Sequence, residues 1–187
     1  MEQAYAQLQE GQFEAAVETF SASLALGPRT SQALRGRAQA YGRLRRWSLA
    51  AADFEAARDL DPNDTDAWAD WGISLAHNQQ IYPAIDAFDA LLAKHPMCVR
   101  GHMELGKLYL QIGAIPKGCQ QLQQALAYQP TLEQRHAIEA LLHEQQKLDK
   151  KRAYRPDFEA LHRAEQQTAP AWVRWIRALV PGKRSVK

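Results

Sequence analysis

Proline recurs at Pro28, Pro62, Pro96 and Pro130, at a constant spacing of 34 residues. Phe20, Phe54 and Phe88 keep the same interval, with Leu122 in the fourth place. Ala16, Ala50 and Ala84 keep it too, followed by Gly118. A fixed period of this length means that one supersecondary unit has been copied and stacked. No such unit buries its apolar face alone, so successive copies must pack on one another. Arrays of this kind present a surface, which points the functional question toward binding.

Each period carries two helical patterns. In the third, Asp64 stands at the N-cap position, and Trp68, Trp71, Leu75 and Ala76 fall on one helical face. A turn follows at Asn78–Gln80. The second helix carries Ala84, Phe88, Leu91 and Leu92, and Pro96 ends the pair. The fourth period repeats this with Leu105, Gly106, Tyr109, Gly113, Leu122 and Leu126. The second has Leu34, Ala38, Tyr41, Trp47, Ala50, Phe54 and Leu60, and the first has Ala4, Leu8, Gly11, Phe13, Ala16, Phe20 and Leu24. Small residues recur where paired helices approach most closely: Ala38, Gly72 and Gly106 on first helices, Ala16, Ala50, Ala84 and Gly118 on second ones. Overpacking such a contact costs roughly 1–3 kcal/mol. Pro83 sits near a helix start, where it is tolerated. The first unit begins at Met1, about three residues late, so its first helix should be short, uncapped and frayed.

These units resemble the tetratricopeptide repeat family. Its Trp-x2-Leu-Gly-x2-Tyr signature is echoed by Trp68-x2-Trp71-Gly72-x2-Leu75, by His102-x2-Leu105-Gly106-x2-Tyr109, and loosely by Leu34-x2-Arg37-Ala38-x2-Tyr41. Its Ala-x3-Phe is matched at Ala16/Phe20, Ala50/Phe54 and Ala84/Phe88. The resemblance implies an all-α fold, a right-handed superhelical solenoid of helix–turn–helix repeats over residues 1–130, in units of approximately 1–30, 31–64, 65–98 and 99–132. First helices would line a concave face. By the same resemblance, partner-facing positions are Arg35, Gln39 and Arg43 in unit two, Asp66, Ala69, Asp70, Ile73 and His77 in unit three, and Arg100, Met103, Lys107 and Gln111 in unit four. Some family members hold a partner's C-terminal carboxylate in a Lys/Asn clamp. Asn63 and Asn78, the only asparagines here, occupy no clamp position.

Beyond the period, Thr131 and Gln134 form a capping-box pattern. The helix that follows, over 131–150, has Leu132, Ile138, Leu141, Leu142 and Leu148 on one side and reads as a solenoid cap. A basic linker and a short helix are expected over 151–168, with Phe158 and Leu161 as the helix's apolar contacts. In 169–187, Trp172, Trp175, Ile176, Leu179 and Val180 make one apolar stripe, with Arg174 and Arg177 beside it. Five basic residues and no acid lie from Ala169 onward, so without this tail the formal charge of +2 becomes −3.

The chemistry of the chain argues against an enzyme. There is no GxSxG, P-loop or GxGxxG. The six histidines include no HExxH pair and no ligand-spaced cluster, so neither a metal nor a cofactor is expected. Cys98 and Cys119 form no CxxC and read as reduced thiols in a reducing compartment. The chain shows neither a signal-peptide h-region nor a membrane-length apolar run, so a cytoplasmic location is expected. Trp47, Trp68 and Trp71 read as core.

The expected function is that of an adaptor or scaffold whose groove takes a peptide or helix of another protein. The cluster Arg35, Arg37, Arg43, Arg45 and Arg46 favours an acidic segment. No aromatic platform interleaves with these arginines, which argues against nucleic acid. The tail would dock on its own repeats, on a partner, or peripherally on an anionic membrane. Self-assembly through the short first unit, and a chaperone or assembly-factor role for a secreted or membrane-complex client, are the competing readings.

Overall fold

The computed structural model of the protein describes residues 1–28 and 30–153. The expected short helix at 156–167 and the tail helix at 169–187 lie outside the described residues. Nine helices follow in order among those described: α1 (Glu2–Gln9), α2 (Phe13–Leu26), α3 (Ser31–Arg43), α4 (Trp47–Leu60), α5 (Thr65–His77), α6 (Ile81–Lys94), α7 (Val99–Gln111), α8 (Ile115–Ala127) and α9 (Leu132–Ala153). Compactness divides the chain into residues 1–143 and 144–187, with the boundary inside α9. The first unit is an all-α solenoid, in which each helix packs against the next and the first helices α1, α3, α5 and α7 line one side.

The period reaches down to single hydrogen bonds. The turn between the two helices of each pair ends on Gly11, Arg45, Gln79 and Gly113, spaced 34 apart and all at positive φ between 58° and 80°. The next residue donates its N–H back five residues. Gln12 reaches the Gln7 carbonyl at 2.8 Å, Arg46 reaches Tyr41 at 2.9 Å, Gln80 reaches Leu75 at 2.9 Å, and Ala114 reaches Tyr109 at 2.8 Å. This is the Schellman closure, which satisfies carbonyls left open at a helix C-terminus. Two of its four left-handed positions are glycine. Arg45 and Gln79 hold the same conformation against the Cβ penalty.

Helix starts repeat as well. Thr30 Oγ1 accepts the Ala33 N–H at 3.2 Å. Asp64 Oδ1 accepts those of Asp66 and Ala67 at 3.0 and 3.1 Å. Cys98 Sγ accepts that of Gly101 at 3.4 Å. Each takes up one or, at Asp64, two of the N–H groups that a helix start leaves unpaired. At α9 the capping box is reciprocal: Thr131 Oγ1 accepts from the Gln134 N–H, and Gln134 Oε1 accepts from the Thr131 N–H. Helix α1 has eight residues against thirteen in α3, and its start has no side-chain cap.

Side-chain volume sets the pair spacing. A methyl added at Gly72 would lie 2.7 Å from the Phe88 ring, and one at Gly106 would lie 2.8 Å from Leu122. Gly36 plays the same part between units one and two, where a methyl would lie 2.3 Å from the Phe20 ring. Phe20, Phe88, Leu34, Leu91, Leu105, Leu122 and Ile138 are fully buried. Ile138, with Leu141 and Leu142 beside it, joins Leu122 and Ala125 in one cluster, so α9 covers the apolar end of α8. Leu132, expected on that side, is 75% exposed at the start of the helix.

Candidate functional site

A groove of about 910 Å³ runs along the first helices. Helix α1 contributes Tyr5, Leu8 and Gln9; α3 contributes Arg35, Gln39 and Arg43; α5 contributes Asp66, Asp70 and Ile73; α7 contributes Arg100. Trp47, the first residue of α4, closes one side. Seven of the expected partner-facing residues therefore meet in one place: Arg35, Gln39, Arg43, Asp66, Asp70, Ile73 and Arg100.

The groove has two chemically different rims. Near the starts of α3, α5 and α7 the charges are paired between units. Arg35 Nη1 donates to Asp64 Oδ2 at 2.7 Å. Asp64 thus caps α5 with one carboxylate oxygen and fastens α3 to it with the other. Arg100 donates to Asp70 and lies 3.5 Å from Asp66, fastening α7 to α5. Burial pushes the Asp70 carboxyl above its ordinary range, while the charge and hydrogen bond of Arg100 pull it the other way. The opposite rim lies near the helix ends and is aromatic. Trp47 stacks on His77 with ring centroids 4.3 Å apart and planes 18° apart. Arg43, the last residue of α3, sits on this rim with no ion pair among the described residues.

Other expected positions lie elsewhere. Ala69 is fully buried in the central core, because it faces the neighbouring helices rather than the groove. Met103 packs against the Leu122–Ile138 cluster. Lys107 donates to Glu104 at 2.8 Å, one turn away on its own helix. Gln111 is exposed at the end of α7. His77 meets the groove through Trp47.

Three features were not drawn from the sequence. Trp47, expected in the core, lines the groove, because the first residue of a second helix lies at the edge of the pair. Arg37, grouped with the free arginines, is committed internally. Its Nε and Nη2 donate to both oxygens of Asp53 at 2.7 Å, and its Nη1 donates to Ser21 Oγ at 3.2 Å. Asp53 in turn holds Arg37 more firmly charged. The signal was present in the pattern: Arg37 breaks the apolar slot filled by Trp71 and Leu105. His102, at the tryptophan position of the signature, is buried. Its ring nitrogens contact the Pro96 carbonyl at 2.8 Å and Gln121 Oε1 at 2.7 Å. One unit earlier, Trp68 Nε1 donates to the Pro62 carbonyl at 3.1 Å. A structural role absorbs this histidine.

Among the described residues no cluster of three or more His, Cys, Asp or Glu could hold a metal ion, and no helix is long and apolar enough to cross a membrane.

Comparison with known proteins agrees with this architecture. The Tetratricopeptide repeat model matches residues 1–65 and 69–133. Mouse sperm-associated antigen 1 is 35% identical over 86 residues, which are 46% of this chain and 9% of that protein. The chain thus spans about a tenth of the length of the curated relatives it matches. The crystal structure of MamA superposes with a TM-score of 0.67 at 18% identity, covering 79% of this chain and 86% of that one. YrrB, described as a repeat protein with an unusual peptide-binding site, superposes with a TM-score of 0.64 at 21% identity, covering 73% of this chain and 71% of its own. At these identities the likeness is one of fold. With both family-model matches lying on the 34-residue beat, the chain belongs to the tetratricopeptide repeat family.

Proposed function

We propose that this chain is a non-enzymatic cytoplasmic adaptor whose concave groove holds a segment of another protein, with residues 169–187 supplying a second contact to a partner. The observation that carries this reading is the divided groove. One rim spends its charges on holding α3, α5 and α7 together. The other offers Arg43 beside Trp47, Leu8 and Ile73. An extended or helical segment fits with an apolar side chain against the aromatic rim and a carboxylate on the Arg43 guanidinium fork. An acidic group brought to Arg35 or Arg100 would instead compete with Asp64 or Asp70. The peptide-binding description of YrrB supports a protein-interaction role of this kind.

Affinity purification with mass spectrometry tests both contacts, comparing wild type, Arg43→Glu and a deletion of residues 169–187. The groove variant should melt like wild type and lose one set of partners. The deletion should lose a second set. Identical partners in all three samples would end the proposal. Pelleting with anionic vesicles only when the tail is present would move the second contact from a protein to a lipid surface.

A further inference from the structure

The opposite, convex side of the solenoid carries a second groove, of about 550 Å³, between α4 and α6. Its floor is Trp68, Trp71 and Leu75 of α5. Small residues form its walls, Ala52 on α4 and Ala87 and Ala90 on α6. Glu55 and Asp86 stand on the two sides.

The 34-residue beat shows what is different about this groove. In the preceding interval the corresponding slots hold Ser21, Arg37 and Asp53. There the chain supplies its own guanidinium, which spans from α2 to α4. In the α4–α6 interval the same slots hold Glu55, Trp71 and Ala87. In the next, Gln121 takes the place of Asp53 and is engaged by His102 at 2.7 Å. Only the middle groove, of these three, has an apolar floor at that slot and an acid on each side. Glu55 is half exposed, with Arg58 at 3.7 Å. Asp86 is exposed, with no ion pair among the described residues. Burial, and then repulsion from Asp86 one turn away, push the Asp89 carboxyl upward. The floor already accepts cations: the Arg58 guanidinium lies 4.1 Å from the Trp71 ring centroid, and the Lys94 ammonium lies 4.7 Å from that of Trp68.

We infer that the α4–α6 groove is a second docking surface, for a segment of another protein that carries an arginine beside an apolar side chain. The apolar group lies on Trp71 and Leu75 between the alanine walls. The guanidinium lies above Trp71, which holds the slot of Arg37, and meets Glu55 and Asp86 at the rim. Opposite charge at the rim sets orientation and encounter rate, and the floor supplies contact area. This surface stands whether or not the concave groove holds a partner.

The test uses the full chain and fluorescence anisotropy. The probe is a fluorescein-labelled 16-residue helical peptide of Arg, Leu and Ala, with an arginine one turn to either side of a leucine. A control peptide carries Glu in place of Arg. Wild type should bind the arginine peptide and not the control. Glu55→Gln/Asp86→Asn changes two exposed side chains without adding charge, and should weaken binding at least tenfold. Arg43→Glu, on the concave side, should leave it unchanged. No binding by wild type, equal binding of both peptides, full affinity in the neutralised variant, or loss of binding in Arg43→Glu would each overturn the assignment.

Discussion

Residues 31–60 and 65–94 fold as the same pair of helices, yet matching slots hold Arg37 and Trp71, Asp53 and Ala87, Gly36 and Asp70. In unit two the outer slot is polar, and an arginine is satisfied by a carboxylate across the pair. In unit three the same space is filled by indole and methyl. The comparison shows that the repeat prescribes volume and satisfied polar atoms at a slot, not a residue type. Arg37 crosses the interval between α2 and α4, whereas the interval between α4 and α6 keeps a groove floored by Trp71.

The sharpest way to break this comparison is to remove half of the polar solution. Asp53→Ala leaves the Arg37 guanidinium largely buried without its carboxylate, and should cost about 3 kcal/mol of unfolding free energy. Adding Arg37→Leu gives unit two the Leu and Ala found at Leu105 and Ala87, and should restore most of the loss. Urea melts of the two single variants and the double close the cycle. A single-variant loss below about 1 kcal/mol would reduce the pair to a surface ion pair.

A smaller effect is expected where the units differ by one methyl. Unit two carries Ala38 where unit three carries Gly72. Gly72→Ala would place a Cβ 2.7 Å from the Phe88 ring, so the ring must shift, at a cost of about 1–3 kcal/mol. Thermal melts equal to wild type would show that unit three has the same clearance as unit two.

The smallest effect concerns Asp70, which stands in the slot of Gly36. Its carboxyl is raised in the folded state, so its ionisation costs stability as pH rises through the folded value. Relative to Asp70→Asn, wild type should gain stability as pH falls from that value toward the usual carboxylate range. The pH dependence of the difference between their urea midpoints measures this. A change of the opposite sign would mean that the attraction of Arg100 outweighs burial.

Much of the scaffold was legible because it rests on local rules. Asp64 and the Thr131–Gln134 box cap the helices where a cap is required, and Gly72 and Gly106 sit where the helices touch. The groove was legible in part. Helical phase places Arg35, Gln39 and Arg43 on one face of α3, but phase does not reveal what each guanidinium meets. Asp64, which takes Arg35, lies 29 residues away at the start of α5, and Asp53, which takes Arg37, lies 16 residues away on the paired helix. Ala69 shows the same limit, because its position in the period matches the concave face while its small side chain lies in the core.

The sequence by itself determined the number and order of helices in the repeated span, the cap at Asp64 and the period at which they stack, because each follows from contacts within a few turns of chain. Only the tertiary structure decided which charges are spent inside the protein and which are left for a partner. Arg35 and Arg43 read alike along the chain. The neighbouring helix neutralises the first and leaves the second beside Trp47, because whether a charge finds a counter-charge depends on distances between helices that no local pattern records.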